Sequence, residues 1–268
     1  MLALTQKVLE RFGKFADSYV KGSDIKESEG YLLKKQHTIR VLGKVDEILF
    51  RSPTIDNETK LIIELTAILH DVGRFPEWKN TRSFSGIFGV DHCEIGAIML
   101  ENGMIKKFIP EERKYDSIII LAVREHGKIT LPENLSKQQL MVCQVIRDAD
   151  RLDIFYECAN ELTFDILYRS RKLGNKKLSE EVRKKLIAGE PMQFDIINSK
   201  LDMLALRIGL IKQLSTVASM RYVSDSNIAN KMIDFFEDKY PYYDREEVEW
   251  IREEINRYLG KTKTWKKK

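Results

Sequence analysis

The stretch Leu61-Ile62-Ile63-Glu64-Leu65-Thr66-Ala67-Ile68-Leu69-His70-Asp71-Val72-Gly73-Arg74 constrains this chain more than any other. Leu61, Leu65, Ile68 and Leu69 recur at helical spacing, which predicts a helix with one apolar stripe. The stripe stops at His70-Asp71, so an imidazole and a carboxylate arrive together where a buried helix meets polar ground. Gly73 then permits a sharp exit, and Arg74 places a fixed positive charge beside the pair. Neutral imidazole and carboxylate are good ligands for a divalent transition metal. An ordinary helix end with its polar residues in water could carry the same dipeptide, so the other histidines decide the weight of this one.

There are 4 histidines in the chain. A first helix is expected over Met1 to Val20, with Leu4, Val8, Leu9, Phe12, Phe15 and Tyr19 on one side. A second runs from Tyr31 to about Phe50 and puts His37 on the face shared by Leu33, Val41, Val45 and Ile48. There it is either a core histidine bonded to a carbonyl or a ligand. Ser52-Pro53 ends that helix, and Asp56 or Asn57 caps the next. Residues from Phe75 to Val90 have no helical period. They hold Pro76, Gly86 and Gly89, with Trp78, Phe84 and Phe88 interleaved with Lys79 and Arg82, and read as a binding loop or as a surface loop pinned by its aromatics.

Asp91 opens a helix to about Asn102-Gly103 that carries His92, Ile95, Gly96, Met99 and Leu100 on one face, and the small Gly96 admits a close approach. Pro110-Glu111-Glu112 begins another, in which Ile118, Ala122 and His126 are spaced by four and Gly127 follows. Leu135-Ser136 leads into a long helix through about Arg169. Asp148 and Asp150 in it point nearly opposite ways, and periodicity does not choose between them. Further on, Ser179 to Ala188, Leu201 to Leu214, Ser226 to about Asp238 and a segment opened by Asp244-Arg245-Glu246-Glu247 are expected helices. No internal repeat or low-complexity linker interrupts the pattern.

Charge does not point to nucleic acid. The net charge is +4, but Lys261, Lys263, Lys266, Lys267 and Lys268 lie in the last eight residues, and removing those five charges from +4 leaves −1. Cys93, Cys143 and Cys158 are too few and too scattered for a disulfide framework or a zinc finger; each reads as a small core residue, and a reducing cytoplasm is the natural setting. The first residues lack a basic region followed by a long apolar one, so no signal peptide is expected. No apolar run approaches a membrane span.

Taken together, the histidine segments resemble the HD superfamily of metal-dependent phosphohydrolases. The resemblance is carried by His37-Thr38-Ile39-Arg40-Val41, Leu69-His70-Asp71-Val72-Gly73-Arg74, Asp91-His92-Cys93-Glu94-Ile95-Gly96-Ala97, Arg124-Glu125-His126 and Asp148-Ala149-Asp150-Arg151-Leu152-Asp153, and covers about Leu32 to Phe155. It implies an all-α fold, an HD-domain helical bundle over residues 1–162; the helical pattern beyond it reads as a C-terminal extension over 163–268 packed on the same body, where a homodimer contact could also form. It implies His37, His70, Asp71 and Asp150 around one divalent metal, and, in members with two further histidines, a second metal held by His92 and His126 with Asp71 bridging. The ion or ions, one or two, would be Mn, Fe, Co, Ni, Zn or Mg.

The implied activity is hydrolysis of a small phosphorylated substrate, a nucleotide or dinucleotide, by metal-activated water. Alternatives are a nucleoside monophosphate phosphatase and a non-catalytic sensor that binds metal and nucleotide. The Gly-Tyr-Pro signature of the cyclic dinucleotide phosphodiesterases is absent after His126, so that substrate is not expected. Asp71 is the central catalytic residue of this expectation. Arg74 and Lys128 are candidates to hold a phosphoryl oxygen, or else solvated surface charges. With one metal alone, His92 and His126 would act as phosphate ligands or proton donors.

Overall fold

In the computed structural model, residues 3–84, 91–160, 173, 177–240 and 242–262 are described, and they are all-α, with no β-strand among them. Two compact units, 1–150 and 151–268, make up the chain. The expected boundary at 162/163 falls outside the described residues, as do Phe88, Arg169 and the lysines after Lys261.

The first unit is built on α1 (Ala3–Val20), α2 (Ile25–Phe50), α3 (Asn57–Leu69), α4 (Arg74–Thr81), α5 (His92–Met99), α6 (Ile105–Phe108), α7 (Asp116–Glu125) and the start of α8 (Lys137–Asn160). The centre is α3, which packs against α1, α2 and α7. Because neighbours cover it on several sides, burial extends over Ile62 to Leu69 rather than one stripe. Its two polar members are satisfied internally: Thr66 donates to the Ile62 carbonyl at 2.7 Å, and Glu64 accepts from Thr5.

Helix α2 begins six residues before the expected Tyr31. The Asp24 side chain accepts the Glu27 amide at 2.8 Å, a cap that outweighs the weak periodicity of the first turns. Asp56, not Asn57, caps α3.

The segment after Arg74 is not a loop throughout. Residues 74–81 are helical, with Pro76 in the first turn, where a missing N–H leaves no bond unmade. Phe75 anchors that turn: its ring lies 5.1 Å from Phe15, 5.4 Å from Tyr19, 5.9 Å from Phe12 and 6.1 Å from Tyr31. Trp78 stacks on Phe84 at 4.7 Å and donates to the Glu27 carbonyl at 2.7 Å. These ring contacts and the indole hydrogen bond outweigh the absence of a stripe.

Helix α5 gives way after Met99 to a wide turn, with Gly103 at φ 97°, and then to α6. The helix expected from Pro110 starts instead at Asp116. Glu111 is drawn away to Arg11, at 2.6 and 2.8 Å, and Arg11 also donates to the Phe108 carbonyl, so this stretch satisfies its polar groups outside a helix.

The second unit holds α9 (Glu180–Ala188), α10 (Lys200–Gly209), α11 (Val217–Ser226), α12 (Ile228–Lys239) and α13 (Arg245–Thr262). Here α10 is the enclosed helix, buried from Leu201 to Gly209. A capping box of Ser199 and Asp202 starts it, and the same carboxylate takes the Ser179 amide and hydroxyl at 2.7 Å each. Ser226 is not an N-cap. It ends α11, and Asn227 in the left-handed region (φ 53°) turns the chain into α12. No helix of the described residues is long and apolar enough to cross a membrane.

Candidate metal centre

Six side chains from five helices or their ends meet within the first unit. His37 comes from the middle of α2, His70 and Asp71 follow the last residue of α3, His92 is the first residue of α5, His126 follows α7, and Asp150 lies in α8. The packing of α2 on α3, α3 on α7 and α5 on α7 brings them together.

His70 and His126 use the same device. Each caps the C-terminus of its helix, and its Nδ1 donates 2.7 Å to the carbonyl three residues back, Ala67 and Val123 respectively. That bond fixes the ring and turns Nε2 inward, where it is a lone-pair donor whenever the imidazole is neutral.

Asp71 is the pivot. Its Oδ2 lies 3.5 Å from His37 Nε2 and 3.7 Å from His70 Nε2, while its Oδ1 lies 3.5 Å from His92 Nε2 and 3.6 Å from His126 Nε2. Asp150 Oδ1 stands 3.1 Å from His37 Nε2 and 4.0 Å from His70 Nε2, and the two imidazoles are 3.4 Å apart. His92 and His126 approach to 3.2 Å. One carboxylate therefore faces two groups of donors, one oxygen to each. Asp150, rather than Asp148, reaches the first group.

These spacings suit a cation. With metal–ligand bonds of ~2.1 Å, neighbouring donors stand ~3.0 Å apart around an octahedral ion and ~3.4 Å apart around a tetrahedral one. The separations of 3.1 to 3.7 Å in the first group and 3.2 to 3.6 Å in the second lie within about 0.3 Å of those values, and only the 4.0 Å between His70 and Asp150 is wider, with Nε2 and carboxylate oxygens as the contacting atoms. Among the described residues, His37 with His70 and Asp150, His70 with Asp71 and His126, and His92 with Cys93 and His126 are each close enough together to hold an ion. Mixed nitrogen and oxygen donors suit several first-row metals.

The electrostatics follow from burial in a crowded set of charges. Burial pushes His70 down to about 4, against the pull of Asp71 and Asp150. Burial, aided by Arg74, holds His92 well below its ordinary value. For His126 burial acts in the same sense, but Cys93 and Asp71 outweigh it and raise the ring well above the usual histidine range. Burial would raise both carboxylates; the cations around Asp71, Lys34 foremost, and His37 beside Asp150 reverse this and hold both below the usual range. Neutral His70 and His92 are in the ligand form.

Of the two basic candidates, Arg74 reaches the centre. Its Nε is 3.6 Å from Asp71 Oδ1 and makes no hydrogen bond, while Nη1 holds Glu77 at 2.7 Å and the Phe84 carbonyl at 3.2 Å. Lys128 does not. Its ammonium pairs with Asp91 at 2.6 Å and is 39% exposed, so it braces the N-cap of α5 instead.

Three residues at this centre were not legible as part of it. Lys34 Nζ lies 2.9 Å from Asp71 Oδ2; its place three residues before His37, on the same helical face, was the available signal. Phe84 lies beneath both cations, 5.3 Å from Lys34 Nζ and 5.7 Å from Arg74 Cζ. Cys93, expected as a core residue, is buried but sits 3.3 Å from His92 Nε2 and 3.7 Å from His126 Nε2.

Glycine sets the closeness of the two halves. A Cβ on Gly73 would stand 2.0 Å from the His92 carbonyl oxygen and 2.6 Å from the Gly96 amide nitrogen, so the turn carrying Asp71 lies against the first turn of α5. The close approach expected at Gly96 is made by Gly73.

Compared with protein-family models, curated proteins and solved structures, the chain matches none.

Proposed function

We propose that this chain is a metal-dependent phosphohydrolase of the HD type, acting on a small phosphate ester such as a nucleotide or dinucleotide. The observation that carries the proposal is the sharing of Asp71: one oxygen toward His37, His70 and the Asp150 side, the other toward His92 and His126, with Lys34 and Arg74 on the same carboxylate. A buried cage of imidazoles and carboxylates suits cations, and two fixed positive side chains at its edge suit an anion bound to them.

When bound, divalent ions supply Lewis acidity and bring the pKa of a coordinated water toward neutrality. His37, His70, Asp71 and Asp150 would hold one ion, and Asp71, His92 and His126 a second. The protein's own contribution to the reaction is positioning. Arg74 Nε, buried without a hydrogen bond, is a donor for a non-bridging phosphoryl oxygen. Lys34, 12% exposed at its side chain, is a second. Glu77 and the Phe84 carbonyl keep the guanidinium from turning away. Solvent reaches the cage beside Asp150 and His92, whose side chains are 21% and 16% exposed against 0–3% for His70, Asp71, His37 and His126, so substrate would enter there. All three cysteines are free, which agrees with a reducing, cytoplasmic setting.

Phosphate release across a panel of nucleotides, nucleoside monophosphates included, with Mn²⁺ or Co²⁺, tests the proposal. Turnover should vanish in Asp71→Ala while far-ultraviolet circular dichroism is kept. Equal activity in that variant would rule the mechanism out, and tight nucleotide binding without turnover under every metal would favour a sensor.

A further inference from the structure

The second donor group contains a sulfur that the resemblance does not assign. Cys93 Sγ lies 3.3 Å from His92 Nε2 and 3.7 Å from His126 Nε2, and all three atoms are close enough to share one ion. The thiol is 2% exposed. Room for it is made by Gly127, where a Cβ would stand 2.6 Å from Sγ.

The spacing fits a particular polyhedron. Zinc-type bonds of ~2.3 Å to sulfur and ~2.05 Å to nitrogen at tetrahedral angles place the donors ~3.6 Å apart, and nitrogen–nitrogen edges ~3.4 Å apart. The two sulfur edges, the 3.2 Å His92–His126 edge and the 3.5 and 3.6 Å edges to Asp71 Oδ1 all lie within about 0.3 Å of these values. The first group differs: its His70–Asp150 separation of 4.0 Å is too wide for a tetrahedral edge and close to the ~4.2 Å of donors opposite one another around an octahedral ion.

We propose that Cys93 joins His92 and His126 as a ligand of the second site and makes that site selective for zinc-class ions. The proposal rests on the metal-centre reading above. A thiolate is the coordinating form, so the thiol proton leaves to solvent as the metal–sulfur bond forms. Thiolate ligation favours zinc, cobalt or iron over magnesium or manganese.

The test is titration of the metal-free full-length protein with Co²⁺, followed by absorption spectroscopy and metal analysis. Two equivalents should bind, with a near-ultraviolet thiolate-to-cobalt charge-transfer band and the intense visible bands of tetrahedral Co²⁺. Cys93→Ser should keep the first equivalent, lose the charge-transfer band and bind the second at least ~10-fold more weakly. A Cys143→Ala/Cys158→Ala variant, in which Cys93 is the sole thiol, should keep the band. Two bound equivalents without a thiolate band in the unmutated protein would overturn the assignment of Cys93 and leave the rest of the metal centre standing. Failure to bind any Co²⁺ would overturn both.

Discussion

Gly73→Ala separates close packing at the candidate metal centre from ordinary helix energetics. At φ −69° and ψ −19°, Gly73 has a backbone that alanine adopts without strain, and such a replacement ordinarily stabilises by about 0.4–1 kcal/mol through the unfolded chain. Here the new Cβ would stand 2.0 Å from the His92 carbonyl oxygen, a backbone atom, where real Cβ atoms do not come within 3.0 Å. The turn and α5 must therefore part by about 1 Å, at an overpacking cost of roughly 1–3 kcal/mol. The net expectation is a loss of about 1–2 kcal/mol.

The same movement reaches the site. Asp71 Oδ1 and His92 Nε2 start 3.5 Å apart, and parting by ~1 Å puts them beyond the ~4.2 Å that two bonds to one ion can span. Gly73→Ala should therefore unfold at lower urea concentration and bind about one equivalent of metal fewer. Gly43→Ala is the control: it is in α2 with nothing within 4 Å of its Cβ, and should be stabilised by about 0.5–1 kcal/mol. Urea unfolding and metal analysis of the three proteins decide the matter. If Gly73→Ala is stabilised like the control and keeps its metal content, the argument from close approach is wrong.

Trp78→Ala should lower stability by about 3–5 kcal/mol, because the indole is 2% exposed, stacks on Phe84 and donates to the Glu27 carbonyl; a loss under 1 kcal/mol in denaturant unfolding would contradict this packing. Thr5→Val takes from buried Glu64 the hydroxyl it accepts, which should cost about 1–3 kcal/mol in the same assay. Burial pushes the thiols of Cys143 and Cys158 up to about 11 and about 12. At pH 8 only ~0.1% or less of either is thiolate, so mass spectrometry after brief iodoacetamide treatment should find both unmodified in the folded protein and labelled in urea; rapid labelling of either in the folded state would refute the burial argument.

The amino-acid sequence determined the helical character and the residues equipped for metal chemistry. Apolar periodicity placed Val8 and Phe12 inward in α1, His37 inward in α2, and Val248, Ile251 and Ile255 inward in α13. It also put His70 and Asp71 at the end of the innermost helix. These are properties of one helix at a time, and 3.6 residues per turn is enough to state them. Periodicity failed where order comes from partners distant in the chain. Pro76 to Thr81 became helical because rings from α1 and α2 hold Phe75 and the Glu27 carbonyl of α2 takes the Trp78 N–H, and Pro110 to Glu112 did not because Arg11 claims Glu111.

Only tertiary packing decided how the donors are shared. That Asp71 offers one oxygen to His37 and His70 and the other to His92 and His126 follows from where α2, α5 and α7 lie around α3, and spacing within a helix does not record that. The choice of Asp150, the arrival of Lys34, the departure of Lys128 to Asp91 and the turn of Cys93 toward two imidazoles have the same origin. Each depends on a contact between helices whose distance is set by the side chains, or by the bare glycines, that separate them.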